Sequence, residues 1–259
     1  MDLVIVTGAS KGIGRQVCIE LLRRHSVAVI AVARSSAALQ SLQDESQHLG
    51  QLVFISGDIS SAETRDAIVS KAVELGGRLR ALINNAAVVL PTGPVLANTD
   101  SEWRVQWETN FLAPVSLLTK CLPLFKSHVM SKVVLNISSS TSQAPVPAFG
   151  PYGCTKVALN YLTQAVAAEY PNITAIAFYP GVVDTPMNKN ALDAAQSFHE
   201  YAVANGLGVD MSKCIDKLQT PIQADIPCVI MANLALGADP ELSGKYFVYS
   251  DREMEAYSR

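Results

Sequence analysis

Cysteine is scarce in this chain of 259 residues. Cys18, Cys121, Cys154, Cys214 and Cys228 are odd in number, form no Cys-x-x-Cys pair and show no metal-type spacing. Such a set excludes a disulfide framework or a thiolate metal centre and reads as small buried thiols in a reducing compartment. Histidine is thinner still: His25, His48, His128 and His199 are scattered, as ordinary core or surface residues are. A net charge of only −3 leaves no electrostatic case for nucleic acid or an anionic membrane. No apolar run approaches the length that spans a bilayer, and there is no linker, repeat or low-complexity tract. The first apolar run begins at Leu3, with no room for a signal peptide before it, so a cytoplasmic chain is expected. The sequons at Asn136 and Asn172 fall in or beside predicted strands and are chance occurrences.

What the chain does have is apolar residues, 49% of the total, arranged in an alternating pattern. Short, mostly apolar runs at 3–6, 27–33, 52–55, 79–84, 133–137, 173–178 and 245–249 read as strands, most of them buried on both faces. Between them lie helical patterns, including 101–127 with a break expected near Pro114, the helix after Pro151, and 221–236. Residues 188–219 show the least regularity and read as a binding loop or lid, about 186–219. Strands alternating with helices over the full length predict a single α/β domain, 1–259, built on a doubly wound sheet. Right-handed crossovers then bring residues 7–14, 33–35, 84–87, 138–140 and 180–185 to one rim.

The first of those strand ends runs into Thr7-Gly8-Ala9-Ser10-Lys11-Gly12-Ile13-Gly14. A glycine-rich turn between strand and helix lets backbone approach a phosphate, and the helix N-terminus offers it unpaired N–H groups. The spacing is neither the common Gly-x-Gly-x-x-Gly nor a P-loop, since no Gly-Lys-Ser/Thr follows. An ordinary tight turn is the competing reading. The second strand ends at Ala33-Arg34-Ser35, and no Asp or Glu occurs between Glu20 and Asp44. A site selective for NAD places a carboxylate there, whereas a 2′-phosphate needs a cation, so Arg34 with Lys11 predicts NADP(H). Two roles are open to Asp58 after the third strand: acceptor for the adenine amino group, or cap of the helix starting near Ser61. Asn110 is either a satisfied core amide or part of a helix distortion that frees a carbonyl for water.

Tyr152 and Lys156 lie four apart on a predicted helix and so share a face. Of the eight tyrosines only Tyr152 has a lysine four positions on. A free tyrosine titrates near 10, and bringing it to the neutral range takes roughly 4 kcal/mol of preference for the phenolate. An ammonium about 4 Å away, at an effective dielectric of about 20, supplies roughly that much. The pair is thus expected to be an acid poised for proton transfer.

In this order and spacing, Thr7-Gly8-xxx-Gly12-x-Gly14, Asn84-Asn85-Ala86-Ala87, Asn110, Ser138-Ser139-Ser140, Tyr152-xxx-Lys156 and Pro180-Gly181-x-Val183-x-Thr185 resemble the short-chain dehydrogenase/reductase family along nearly the whole chain. The resemblance implies a Rossmann-type, mostly parallel seven-stranded sheet with helices on both faces. It implies that the catalytic serine is Ser139, thirteen residues before the tyrosine, and that Asn110 holds a relay water. Gly8, Ser10, Lys11, Gly12, Ile13, Gly14, Arg34, Ser35, Asp58, Ile59, Asn85, Ala86, Tyr152, Lys156, Pro180, Gly181, Val183 and Thr185 are the cofactor contacts it implies. Ala87 departs from the pattern, which usually has Gly there. Ala33-Arg34-Ser35 with Lys11 looks like the NADP-preferring branch, and the tyrosine and Pro180-Gly181 segments resemble benzil reductase and sepiapterin reductase-like members.

The implied activity is reduction of a carbonyl by NADPH without a metal, and the implied assembly a homodimer or homotetramer. The apolar or aromatic Val146, Pro147, Phe149, Met187, Phe198 and Tyr201 are the expected substrate walls, suiting an uncharged ketone, aldehyde or α-diketone. A cofactor-binding regulator or scaffold on the same fold is the alternative, disfavoured because Ser139, Tyr152 and Lys156 are all present.

Overall fold

Seven strands form one sheet: β1 (Asp2–Thr7), β2 (Val27–Ala33), β3 (Gln51–Ser56), β4 (Leu79–Asn84), β5 (Val133–Ile137), β6 (Thr174–Tyr179) and β7 (Tyr246–Val248). The computed structural model describes residues 2–76, 78–125 and 132–259. The sequence also reads Gly76-Gly77 as a helix stop; Gly77, His128 and the end of the helix expected to reach 127 lie outside the described residues.

The strand order is β3-β2-β1-β4-β5-β6-β7, and every pairing is parallel. A strand such as β2, Val-Ala-Val-Ile-Ala-Val-Ala, is buried at every position because both faces of the sheet are covered. Alternate side chains feed two separate cores. Val4 and Val6 of β1 pack with Val17 and Leu21 of α1 (Gly12–Arg24) and with Ile230 and Leu234 near the C-terminus. Leu3 and Ile5 pack on the other face with Ile68, Leu117 and Val166.

Several helices depart from the sequence pattern. The segment expected as one kinked helix is α4 (Asp100–Trp107), a π-helical stretch at Glu108–Leu112 and then α5 (Ala113–Cys121). The irregularity precedes Pro114, whose missing N–H is tolerated at the start of the new helix. The segment read as irregular is helical, with α7 (Pro186–Ala204) and α8 (Ser212–Gln219). Thr185 caps α7 by accepting from the Asn188 N–H at 3.2 Å, and Ala191, Ala195, Phe198 and Ala202 form its buried stripe. Small residues on that stripe made the periodicity faint. The last helix begins at Asp225, not at 221. Ile222 instead bridges to Val183, donating to the Val182 carbonyl at 2.8 Å and accepting from the Asp184 N–H at 3.0 Å.

The remaining helices are α2 (Ser36–Ser46), α3 (Ala62–Glu74), α6 (Gly150–Glu169) and α9 (Asp225–Gly237). The direction of strand order reverses between β1 and β4. At such a reversal crossover helices leave on opposite faces and open a crevice beyond the carboxyl ends of the strands.

Candidate active site

The crevice has a volume of about 880 Å³, within the usual range for small-molecule and cofactor sites. Its floor is the glycine loop. Gly8 has φ +71°, and a Cβ added there would lie 2.7 Å from the Asn85 Nδ2 and 2.9 Å from the Ala86 Cα. Gly14 has no room at all, since its Cβ would meet the Gly8 carbonyl oxygen at 2.4 Å. These glycines therefore let strand, turn and helix close on one another, which keeps the N-terminus of α1 open toward the crevice.

The loop is pinned from β4. Thr7 Oγ1 accepts from the backbone N–H groups of Asn85 and Ala86, both at 3.0 Å, and Asn85 Nδ2 donates to the Thr7 carbonyl at 2.8 Å. The Asn85 amide is thus turned to the loop. Thr7 is a structural clamp that spacing alone did not single out.

All the residues expected to contact a cofactor line this crevice, from Gly8, Ser10 and Lys11 to Pro180, Gly181, Val183 and Thr185. Arg34, Lys11, Ser35, Asp58 and Ile59 sit at the end formed by β2 and β3, with Arg34 and Lys11 exposed. Ser35 also caps α2, accepting from the Ala38 N–H at 3.3 Å. Asp58 does not cap α3: Ser61 does, accepting from the Thr64 N–H. The Asp58 carboxylate accepts from the Ser60 N–H and hydroxyl, at 2.9 and 2.7 Å. The Ser60 hydroxyl chiefly holds it below the ordinary carboxylate pKa, with Arg34 adding a smaller share. Ala87 also borders the crevice.

At the other end stand Ser139, Tyr152 and Lys156. Ser139 leaves β5 where the chain enters a short turn, and α6 presents Tyr152 and Lys156 one turn apart on the face toward β5. Lys156 is 2% exposed, and its ammonium donates to the Ile137 carbonyl at 2.7 Å. It lies 5.5 Å from the centre of the Tyr152 ring. This corrects the electrostatic expectation. Burial pushes the phenol up to about 12, opposed by hydrogen bonding with Ser139, and pushes the Lys156 ammonium down to about 8. Desolvation is the largest cause for both groups, and the lysine charge is directed at a backbone oxygen.

Asn110 lies in the π-helical stretch and is 1% exposed. Its side chain accepts from the Val88 N–H and donates to the Val88 carbonyl, both at 2.8 Å, and donates to Thr155 Oγ1 at 3.2 Å. Both features foreseen for it, the satisfied core amide and the helix distortion, therefore occur together. It ties the segment after β4 to α6.

The substrate-wall residues divide. Val146, Phe149 and Met187 line the crevice. Phe198 and Tyr201 do not: they border a separate hollow with Leu90 and Pro94, because their turns of α7 have passed beyond the crevice mouth. Pro147 is exposed and also off the crevice lining. In their place the crevice takes Tyr179, Ala191, Cys214, Lys217 and Leu218. The Lys217 ammonium lies 5.7 Å from the centre of the Tyr179 ring. Tyr179 stood beside Pro180-Gly181 at a strand end, a usable signal, whereas nothing in the sequence pointed to Lys217. Among the described residues no group of histidine, cysteine or carboxylate side chains is arranged to hold a metal, and no helix is long and apolar enough to cross a membrane.

A family model described as short chain dehydrogenase matches residues 2–196. The chain belongs to this family. It is 30% identical to the benzil reductase ((S)-benzoin forming) IRC24 of Saccharomyces cerevisiae, with 97% of each chain covered. It is 26% identical to the NADPH-dependent pterin aldehyde reductase of Arabidopsis thaliana, over 76% of this chain and 81% of that one. Among solved structures, the YIR035C short chain dehydrogenase/reductase of Saccharomyces cerevisiae superposes over all of both chains with a TM-score of 0.86 at 28% identity. The Rossmann-like fold and the oxidoreductase class follow from these matches, as does the likeness to benzil and pterin aldehyde reductases.

Proposed function

We propose that this oxidoreductase uses NADPH to reduce the carbonyl of a ketone, aldehyde or α-diketone to the alcohol, with Tyr152 as the general acid. The observation that carries the reading is one crevice with Ser139, Tyr152 and Lys156 at one end and Arg34 and Lys11, with no carboxylate on the end of β2, at the other. A dinucleotide suits the glycine turn, where Gly8 and Gly14 admit no Cβ against Asn85, Ala86 and the Gly8 carbonyl and so let strand, turn and helix close tightly at the crevice floor. Gly8, Ser10, Gly12, Ile13 and Gly14 would hold its phosphates, Arg34 and Lys11 the 2′-phosphate, and Val183 and Thr185 the nicotinamide end. When bound, NADPH supplies the hydride that reaches the carbonyl carbon.

The protein's own part is proton transfer and charge stabilisation. Tyr152 stays protonated at neutral pH, so it holds a hydrogen to give to the carbonyl oxygen. Ser139 and Tyr152 direct hydrogen bonds at that oxygen as negative charge builds on it. Lys156 keeps a positive charge nearby in a dry setting, where it counts for more than in water. Asn110 sits where a π-helical stretch leaves backbone carbonyls off the regular pattern, a suitable place for a relay water. Val146, Phe149 and Met187 with Tyr179 form a largely apolar wall, and α7 and α8 act as a lid, which suits an uncharged carbonyl compound. Assembly as a dimer or tetramer is part of the same proposal, supported by exposed Val105, Leu112, Val157 and Tyr161 on the helices of 100–121 and α6.

The test is loss of NADPH absorbance with a panel of α-diketones, aldehydes and quinones. Binding of NADPH without turnover of any of them would leave only the regulator or scaffold reading. A second expectation concerns pH. Because Lys156 is lowered to about 8, its positive charge is complete below that value and lost as pH rises through it, while the Tyr152 phenol remains protonated. The kcat/KM for reduction should therefore decline above about pH 8. A profile that stays flat into the ordinary lysine range shows that Lys156 keeps its proton in the working enzyme.

A further inference from the structure

Ser139 is held in one polarity by its neighbour two residues on. The backbone N–H of Thr141 donates to Ser139 Oγ at 3.2 Å, and the Thr141 hydroxyl donates to the same oxygen at 3.0 Å. A serine hydroxyl has two lone pairs and one hydrogen. Thr141 engages both lone pairs, so the remaining capacity of Ser139 is its hydrogen. A carbonyl oxygen, or the phenolate that Tyr152 becomes, can only accept. We propose that Thr141 is a positioning residue for carbonyl reduction, fixing Ser139 as a hydrogen-bond donor toward the crevice.

The surroundings of the turn fit this role. The Ser139 carbonyl accepts from the Ser142 hydroxyl at 2.6 Å, which fixes the backbone at the position whose side chain must aim. Ser142 is in turn bonded from α6, by Asn160 Nδ2 at 2.9 Å. Gly153, directly after Tyr152, lies against the turn: a Cβ there would stand 3.2 Å from the Thr141 carbonyl oxygen. That contact is tighter than most side chains accept, so the glycine lets Thr141 settle on α6 beside the tyrosine. Two donors on one oxygen also polarise its O–H bond and strengthen the bond it donates.

The inference rests on the carbonyl-reductase reading, and its test separates the two. Thr141→Val removes the hydroxyl and keeps the shape and the backbone donor. It should lower kcat for diketone reduction roughly three- to tenfold, the worth of one hydrogen bond, with KM and NADPH affinity unchanged. Thr141→Ser should restore kcat. In a Ser139→Ala background Thr141→Val should cost nothing further, since the group it orients is gone. A merely structural threonine would instead cost the same factor in both backgrounds, and that result, or a wild-type kcat in Thr141→Val, overturns the proposal. If the valine variant does not fold, Thr141→Ala read against Thr141→Ser supplies the same comparison. Wild-type protein that turns over no carbonyl compound overturns the reading beneath it and this inference with it.

Discussion

Replacing Tyr152 by phenylalanine is expected to lower carbonyl reduction by about 10²–10⁴-fold while NADPH binding persists. The substitution removes one oxygen and keeps the ring, so α6 and the wall of the crevice remain packed. The Lys156 ammonium stays anchored on the Ile137 carbonyl, because that 2.7 Å bond does not involve the phenol. What disappears is the hydrogen that the proposed mechanism gives to the substrate oxygen. Kinetics with a diketone, alongside a direct NADPH binding measurement, separate chemistry from binding. Undiminished turnover in Tyr152→Phe would remove the tyrosine from the mechanism. A loss of turnover together with a loss of NADPH affinity would instead show that the phenol serves mainly to build the cofactor site.

Arg34→Asp should cut the preference for NADPH over NADH by about 100-fold in kcat/KM, with the change largest in NADPH binding. Two effects add. The variant loses a cation for the 2′-phosphate, and it places at the end of β2 the carboxylate that suits a free ribose hydroxyl. A third effect works through Asp58. Arg34 helps to hold that carboxyl in its charged form, and a second carboxylate nearby would raise its pKa instead. Lys11 remains as the other exposed cation at this end of the crevice. Survival of the full NADPH preference in Arg34→Asp shows that Arg34 does not read the phosphate, and Lys11→Ala then becomes the deciding variant.

Much of the architecture was legible because strands buried on both faces leave a strong mark. β2 and β4 were read with their observed limits, β2 as a continuous apolar run ended by a charge and β4 as a mostly apolar run ended by an asparagine pair. The glycine loop was legible for a related reason: at Gly8 and Gly14 no other residue fits, so the sterics appear directly in the letters. The helices of 186–219 were not legible, although the segment itself stood out. α7 buries alanines, which give little hydrophobic contrast, and its outer turns carry Phe198 and Tyr201 to a separate hollow. Asp58 and Ser61 illustrate a different obscurity. Both are good caps, and only the course of the backbone awards the helix to Ser61.

By itself, the sequence determined the parallel α/β class, the glycine-rich turn between β1 and α1, the cation in place of an acid after β2, and the shared face of Tyr152 and Lys156. Each of these is a local pattern of shape or charge that one segment carries alone. Tertiary structure alone decided that the Lys156 ammonium turns to a β5 carbonyl, that burial makes the phenol a weaker acid, that Tyr179 and Lys217 border the crevice, and that Thr141 sets the polarity of Ser139. Those outcomes depend on desolvation and on hydrogen-bond partners that come into reach only when β5, β6, α6 and α8 meet.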